Sequence, residues 1–182
     1  MPAGENSTAD GSPSVGDALV RALNARDLDA AMALCDPGGE TVLPHLAAAG
    51  TLGTEGRAYF SDLLAAFADL RVTVRASFLA PDPEHPGGIV ETVEVRTAGT
   101  QSADFLGITN QEKYCDLDQA WRLTIAPDGR ITRLRGFWDQ TILLRRLAVR
   151  RLDDINIAEA GQSVTTPPVA SSPEAPHISA AG

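Results

Sequence analysis

The sequence is poor in the residues that most often announce chemistry. It has two cysteines, Cys35 and Cys115, in 182 residues. One falls in a helix-like stretch and the other in a strand-like stretch, so two buried free thiols are expected rather than a disulfide framework. Histidine is as scarce: His45, His85 and His177 are scattered, and no H-x-E or C-x-x-C pattern accompanies them. No metal site is expected from such spacing. No Gly-rich phosphate loop follows a strand-like run and no G-x-S-x-G occurs, which leaves nucleotide cofactors and serine-hydrolase chemistry without support. No cofactor is expected.

Long apolar runs are missing too. None approaches the ~18 residues that would span a bilayer. The first 13 residues lack a basic segment followed by an apolar one, so no secretory signal is read and a cytoplasmic location is expected. Basic residues are absent from both ends. Residues 1–14 and 152–182 hold Glu5, Asp10, Asp153, Asp154, Glu159 and Glu174 but no Lys or Arg. Of the net charge of −9, the ends therefore carry −6 and the middle −3. An acidic chain without a basic stripe is a poor partner for nucleic acid or an anionic membrane.

What is present is a core. Hydrophobic residues make up 43% of the chain, enough for one domain. Residues 1–12 are small and polar. The segment from 152 on carries Thr165-Thr166-Pro167-Pro168, Pro173 and Pro176, a composition that cannot bury enough apolar surface to offset ordering entropy. The folded domain is expected over 13–151, between two disordered tails.

Within it, Ser12-Pro13 suits a helix start, and Val15, Leu19 and Leu23 recur at helical spacing. Asp27 suits the cap of a second helix with a Leu28, Met32, Cys35 stripe, stopped by Pro37-Gly38-Gly39. Thr41-Val42-Leu43 reads as a short strand. Thr54 suits the cap of a third helix, with Tyr59, Phe60, Leu63, Leu64, Phe67 and Leu70 at helical spacing. Strands follow at 71–79, with Val72, Val74, Ala76 and Phe78 on one face, then at 88–97, 114–125 and 130–138. In the third of these, Cys115, Leu117, Gln119, Trp121, Leu123 and Ile125 form an apolar face interrupted only by Gln119. Asp116, Asp118, Arg122 and Thr124 face the other way, toward solvent or a partner. A last helix is expected over about 140–151, carrying Ile142, Leu143, Leu147 and Leu152. Helices followed by a run of antiparallel strands define an α+β fold.

Three segments carry a family resemblance. They are Ala22-Leu23-Asn24-Ala25-Arg26-Asp27-Leu28-Asp29-Ala30, then Gly99-Thr100-Gln101-Ser102-Ala103-Asp104-Phe105-Leu106-Gly107-Ile108, and then Asp128-Gly129-Arg130-Ile131 with Gly136-Phe137-Trp138-Asp139-Gln140 and Leu143-Leu144-Arg145-Arg146-Leu147. In this order and spacing, over about 20–150, the chain resembles the SnoaL-like branch of the nuclear transport factor two-like superfamily. The resemblance implies a cone-shaped fold: a curved antiparallel sheet packed on about three N-terminal helices, with an internal apolar pocket and a C-terminal helix. It implies a homodimer. It also implies cofactor-independent chemistry on an apolar oxygenated small molecule, of the polyketide-cyclase, dehydratase or isomerase type.

The sequence departs from the cyclase pattern at the residues that matter. The family's proton-transferring Asp and His on the last strand align with Gly136 and Leu134. A further cavity His aligns with Gln119, and the His of the G-T-H segment with Gln101. Glutamine and glycine are not general bases near neutral pH. The remaining catalytic candidates are His45, Asp139 and Gln119. The ligand-binding candidates are Gln101, Gln119, Trp121, Trp138 and Phe60. Each has a plainer reading. His45 also suits an exposed loop. Asp139, directly before the closing helix, suits an N-cap. Gln119 suits a core amide bonded to backbone or water, and the two Trp suit packing. Glu91 and Glu94 lie on opposite faces of one strand, so one of them faces inward.

One register conflict is visible. A three-residue hairpin at Pro127-Asp128-Gly129 sets Gln119 opposite Phe137, yet the apolar face of the return strand is Leu134, Gly136 and Trp138. A bulge is expected to restore that face to the inside. Three readings then compete: a tailoring enzyme without a cofactor, a non-catalytic module of the same fold that binds a small molecule, or a purely structural dimer whose pocket is filled.

Overall fold

The structure is a computed structural model and describes residues 13–147. The expected tails 1–12 and 152–182, the last residues of the closing helix and His177 lie outside the described residues. The order of elements is α1 (Val15–Asn24), α2 (Leu28–Ala33), β1 (Cys35–Val42), β2 (Gly50–Thr51), a π-helical turn (Leu52–Gly56), α3 (Arg57–Ala66), β3 (Arg71–Pro81), β4 (Ile89–Thr100), β5 (Tyr114–Ile125), β6 (Ile131–Phe137) and α4 (Gln140–Leu147). The six strands form one sheet in the order β2-β1-β6-β5-β4-β3. Strands β3 to β6 pair antiparallel, as the hairpin signals require. The sheet is mixed because β1 joins β6 in parallel. This is the expected α+β architecture, with helices and core on one side of a curved open sheet.

Local chemistry sets the helix ends. Ser14, two residues beyond the expected cap Ser12, accepts a hydrogen bond from Asp17 N at 3.0 Å. Asp27 accepts from Ala30 N at 2.8 Å, as expected. Helix α2 ends at Ala33 rather than continuing to Pro37, and Cys35 begins a strand instead of closing a helical stripe. The reason is tertiary: Cys35 pairs with Ile131 and Glu40 with Arg133, with an irregularity between them. Pro37-Gly38-Gly39 thus falls in the unpaired irregularity of β1 between Cys35 and Glu40, where Pro is tolerated. A Cβ on Gly39 would come within 2.6 Å of Thr132 O. Thr51 and not Thr54 starts the next helical segment, its hydroxyl accepting from Thr54 N at 3.2 Å.

Two side chains of the first turn anchor the helices. Asn24 accepts from Val72 N and donates to Val72 O, both at 2.8 Å, tying the end of α1 to β3. Arg26, at φ 59°, donates to the Phe67 and Ala68 carbonyls at 2.8 and 3.1 Å and to Leu64 O. A cation on the last carbonyls of α3 suits the negative end of the helix dipole.

Two bulges decide which side chains face the core. On β3 the register shifts between Val74 and Ala76, so Arg75 is the extra residue. Val72 stays buried, but the face expected to include Ala76 and Phe78 is turned over, and Phe78 is 49% exposed. Ser77 takes the inward position, opposite Val93. At the β5–β6 hairpin the register shifts between Thr124 and Ile125. Trp121 then pairs with Gly136 and Leu123 with Leu134, which restores the apolar face of β6 to the inside. The inner row of β5 from Cys115 to Ile125 is buried throughout.

Glu91 is the inward carboxylate of β4, and it is 0% exposed. It accepts from Gly16 N at 2.9 Å and from Ser77 Oγ at 2.8 Å. A buried carboxyl group needs such partners. Here one of them is a free N–H of the first turn of α1, so β4 helps to cap a helix 75 residues away in sequence.

Candidate functional site

The inner rows of β4 and β5, with α3 and α4, enclose an apolar chamber. Its wall includes Thr97, Gly99, Cys115, Leu117 and Gln119 from the strands, Tyr59, Leu63 and Phe67 from the helical layer, and Trp138 and Leu143 from the β6–α4 region. The space between these atoms is about 360 Å³. It is narrow, with free width for roughly one water molecule. No Asp, Glu, Lys or Arg lines it. Beyond Leu143 lies a wider vestibule of about 600 Å³, formed by Pro44, His45, Leu106, Ile108, Gln140 and Leu144.

Three stacked rings border the two spaces, Tyr59 and Trp138 in the chamber wall and His45 in the vestibule wall. Tyr59 and Trp138 lie 5.8 Å apart between centroids at 15°, and His45 lies 5.4 Å from Tyr59 at 23° and 6.2 Å from Trp138 at 27°. The stack exists because β6 offers no side chain at Gly136. A Cβ there would sit 2.7 Å from Trp138 Cζ3 and 2.9 Å from Leu43 Cδ2. The indole therefore takes room that a side chain at position 136 would need. Leu134, the other aligned catalytic position, is buried in the core.

Polar groups around this hollow fall into two sets. The first is satisfied within the protein. Trp121 Nε1 donates to Gln119 Oε1 at 3.0 Å. An indole only donates, so this bond fixes the amide orientation and leaves Gln119 Nε2 as the free donor. Gln119 is 8% exposed and borders the chamber. Gln101 donates from Nε2 to Ile108 O and accepts at Oε1 from Gln111 N, both at 3.2 Å. Its amide thereby clamps the tight turn at Phe105 and Ile108, where Leu106 and Gly107 adopt φ 51° and 78°. Phe60 packs edge-on against Trp121, 6.3 Å between centroids, in the layer beneath the chamber. Of the residues singled out from sequence, Gln119, Trp138 and His45 thus meet at the chamber and its mouth. Trp121 supports Gln119 from behind, and Gln101 and Phe60 are not among the lining residues.

The second set is unsatisfied. Thr97 Oγ1, Trp138 Nε1 and His45 Nδ1 are buried without a hydrogen-bond partner. Buried polar atoms without partners are rare in folded proteins. Thr97 and Trp138 line the chamber and His45 the vestibule, so each space offers a buried polar atom with no partner inside the protein. Thr97 is the member that sequence reasoning missed. Its only signal was an inward parity on β4, shared with Glu91, Val93 and Val95.

Electrostatics limit the chemistry. Burial holds His45 below the usual imidazole range, opposed by the charge of Asp62, so the ring is neutral at pH 7. Burial pushes the Cys115 thiol up to about 11 and raises the Tyr59 phenol well above its ordinary value. Neither ionises near neutrality, which removes a thiolate nucleophile from the chamber. Asp139 is exposed and caps α4, accepting from Thr141 N at 2.8 Å and Ile142 N at 3.3 Å. His45 is the titratable side chain among the residues that line the vestibule.

Outside this region, Asp82, Glu84 and His85 place possible ligand atoms within 4.8 Å of one another. These groups are already engaged. Asp82 accepts from Glu84 N and contacts His85 Nδ1, and Glu84 pairs with Arg133. Cys35 and Cys115 are both free and buried, as expected. Among the described residues no helix is long and apolar enough to cross a membrane.

Comparison with known proteins agrees with this geometry. A protein from Jannaschia sp. CCS1 assigned as a SnoaL-like polyketide cyclase superposes with a TM-score of 0.60 at 21% identity, covering 78% of this chain and 99% of that one. AclR from Streptomyces galilaeus, assigned as a hydroxylase, superposes with a TM-score of 0.58 at 17% identity, covering 72% and 91%. A Catenulispora acidiphila protein of ketosteroid isomerase-like fold, solved with trimethylamine, gives 0.59 at 16% identity, covering 75% and 93%. At such identities the likeness is one of fold. Among curated proteins none matches the sequence. The SnoaL-like domain family matches residues 17–134, from α1 into β6. The chain belongs to the SnoaL-like family.

Proposed function

We propose that the chamber and its vestibule bind a neutral, apolar, oxygenated small molecule, and that the protein is a cofactor-independent tailoring enzyme in which His45 moves the proton. The observation that carries this reading is that three buried polar atoms without partners, Thr97 Oγ1, Trp138 Nε1 and His45 Nδ1, belong to residues lining the chamber or the vestibule, and that no Asp, Glu, Lys or Arg lines either space. A charged ligand would find no counter-ion there. A carbonyl or hydroxyl would find donors in Trp138 Nε1 and Gln119 Nε2 and a donor–acceptor in Thr97. Such groups, fixed in a water-poor site, stabilise a developing enolate or alkoxide without a metal. Cyclisation, dehydration and isomerisation each need one proton moved beside a polarised carbonyl, and a neutral imidazole at the mouth supplies a base near neutral pH.

A non-catalytic binding role is the second reading, and Gly136 and Leu134 favour it, since the family's acid–base pair is absent from β6. The narrow chamber bears on both readings. The chamber has free room for only about one water molecule, far less than the roughly 300–1,000 Å³ of a ligand-sized pocket, so occupancy requires lining side chains such as Tyr59 and Trp138 to shift.

The test uses the two tryptophans as probes. Native mass spectrometry of the full-length protein, followed by extraction, would identify a carried neutral compound. Titration of that compound, or of aromatic polyketide-like ketones, would then quench or shift the emission of Trp138, and the response would be lost in Trp138→Phe. Turnover with a rate that falls below the His45 midpoint, and is absent in His45→Asn, supports the enzyme. Binding that is indifferent to pH, with every bound compound recovered unchanged, supports the module. No bound compound and no emission change with any neutral ketone overturns both.

A further inference from the structure

A further buried polar atom without a partner, Arg135 Nε, lies on the opposite face of the sheet. The β3–β4 loop folds over the outer rows of β4, β5 and β6 and encloses a recess of about 480 Å³, lined by Asp82, Glu84, Arg122, Thr124, Arg133 and Arg135 among others. Three guanidinium groups thus meet two carboxylates. Their pairing is uneven. Arg133 takes the acids: its Nε donates to Glu40 Oε2 at 2.7 Å, and its Nη1 lies 3.4 Å from Glu84. Asp82 is occupied by Glu84 N and His85. Arg135 reaches only the already engaged Glu40, at 3.9 Å, and its Nε is buried without a hydrogen-bond partner. Arg122 has no ion-pair partner among the described residues.

Arg122 and Arg135 are also direct cross-strand partners between β5 and β6. Like charges facing each other across an antiparallel pair destabilise the sheet. Of the two, Arg122 has no ion pair among the described residues, and Arg135 has only the long 3.9 Å contact with a Glu40 that Arg133 already holds. Thr124, beside them, offers a hydroxyl to the same recess. Two guanidinium forks and a hydroxyl around one space form a receptor for a compact oxyanion, which accepts several N–H groups at once. A tetrahedral anion offers acceptors in several directions, enough for the unpartnered Arg135 Nε and the Arg122 guanidinium together. A carboxylate offers fewer.

We propose that the recess under the β3–β4 loop is a phosphate-class oxyanion site, with Arg122 and Arg135 as its ligands. The site is separate from the apolar chamber and does not depend on what the chamber binds.

Isothermal titration of the full-length protein with inorganic phosphate, at constant ionic strength held by chloride, tests this. Saturable binding at one site per chain is expected. Arg122→Gln should weaken it at least tenfold, while Arg71→Gln, a basic residue at the far end of β3, should leave it unchanged. Acetate should bind at least tenfold more weakly than phosphate. Glycerol 3-phosphate distinguishes the source: affinity equal to that of inorganic phosphate indicates the phosphate of a larger molecule, and much weaker affinity indicates the free anion. Arg122 is exposed, so its variant is expected to fold. Arg135→Gln, compared by circular dichroism first, should abolish binding. Heat no greater than in matched chloride, or equal losses in the Arg71 and Arg122 variants, overturns the assignment. So does a dimer that Arg122→Glu breaks apart while phosphate has no effect, since the arginine pair would then face a second copy.

Discussion

Substituting Gly136 tests the physical basis of the site most directly. Its Cα lies in β6 with a backbone that any residue can adopt, so Gly136→Ala introduces no backbone strain. Strand preference alone would favour alanine by roughly 0.5–1 kcal/mol. Packing works the other way. The new methyl group would sit 2.7 Å from Trp138 Cζ3 and 2.9 Å from Leu43 Cδ2, closer than carbon atoms approach without displacement. Overpacking of this kind costs about 1–3 kcal/mol. The expected net effect is a loss of about 0.5–2 kcal/mol, or roughly 2–8 °C in the unfolding midpoint for a domain of this size. Trp138 is partly exposed and has room to swing, whereas Leu43 is buried, so most of the relief comes from the indole. Urea denaturation followed by circular dichroism in the wild type, Gly136→Ala, Trp138→Ala and the double variant closes a double-mutant cycle. The cost of Gly136→Ala should fall by at least half when Trp138 is absent. A Gly136→Ala protein as stable as the wild type, or a cost unchanged in the Trp138→Ala background, would refute the claim that the indole occupies the space of the missing side chain.

Other expectations follow from the same contacts. Glu91→Ala leaves the Gly16 N–H and the Ser77 hydroxyl without their buried acceptor; urea unfolding should show a loss of about 1–3 kcal/mol, and less for Glu91→Gln, so a loss under 0.5 kcal/mol in both variants would deny the cap. His45 should titrate below the ordinary imidazole value of 6.5 in a proton NMR pH series. Because the unfolded chain takes up that proton first as pH falls, the His45 contribution to stability is complete above 6.5 and declines as pH drops from 6.5 toward the lower folded value; His45→Asn should flatten that segment of the stability curve, and a midpoint above 6.5 would reverse the sign. Cys35 and Cys115, both pushed up to about 11, should resist iodoacetamide at pH 8 in the native protein and react together on unfolding; rapid native labelling of Cys115 would mean that the chamber opens readily to water.

Much of the frame was legible because it is local. The β5 row from Cys115 to Ile125 is buried as its period of two requires, and the conflict between the Pro127-Asp128-Gly129 turn and the apolar face of β6 correctly announced a bulge. Asp27 capped its helix, and Asp139 accepts the first N–H groups of α4, because a cap depends only on residues two or three positions away. The β3 face failed for an equally definite reason. One inserted residue, Arg75, inverts every side chain after it, and nothing in the alternation of 71–79 marks the insertion.

The sequence by itself determined the fold class, the inner row of β5 and the absence of an acid–base pair on β6, since each rests on residue identity and short-range periodicity. Only the tertiary structure decided that Glu91 caps a helix 75 residues away, that an indole fills the space beside Gly136, and that Gln101 is consumed in clamping a turn while Thr97 and His45 are left without partners. Hydrogen-bond satisfaction and steric fit depend on which distant atoms arrive within about 3 Å, and that is settled by how the layers pack, after the local patterns have done their part.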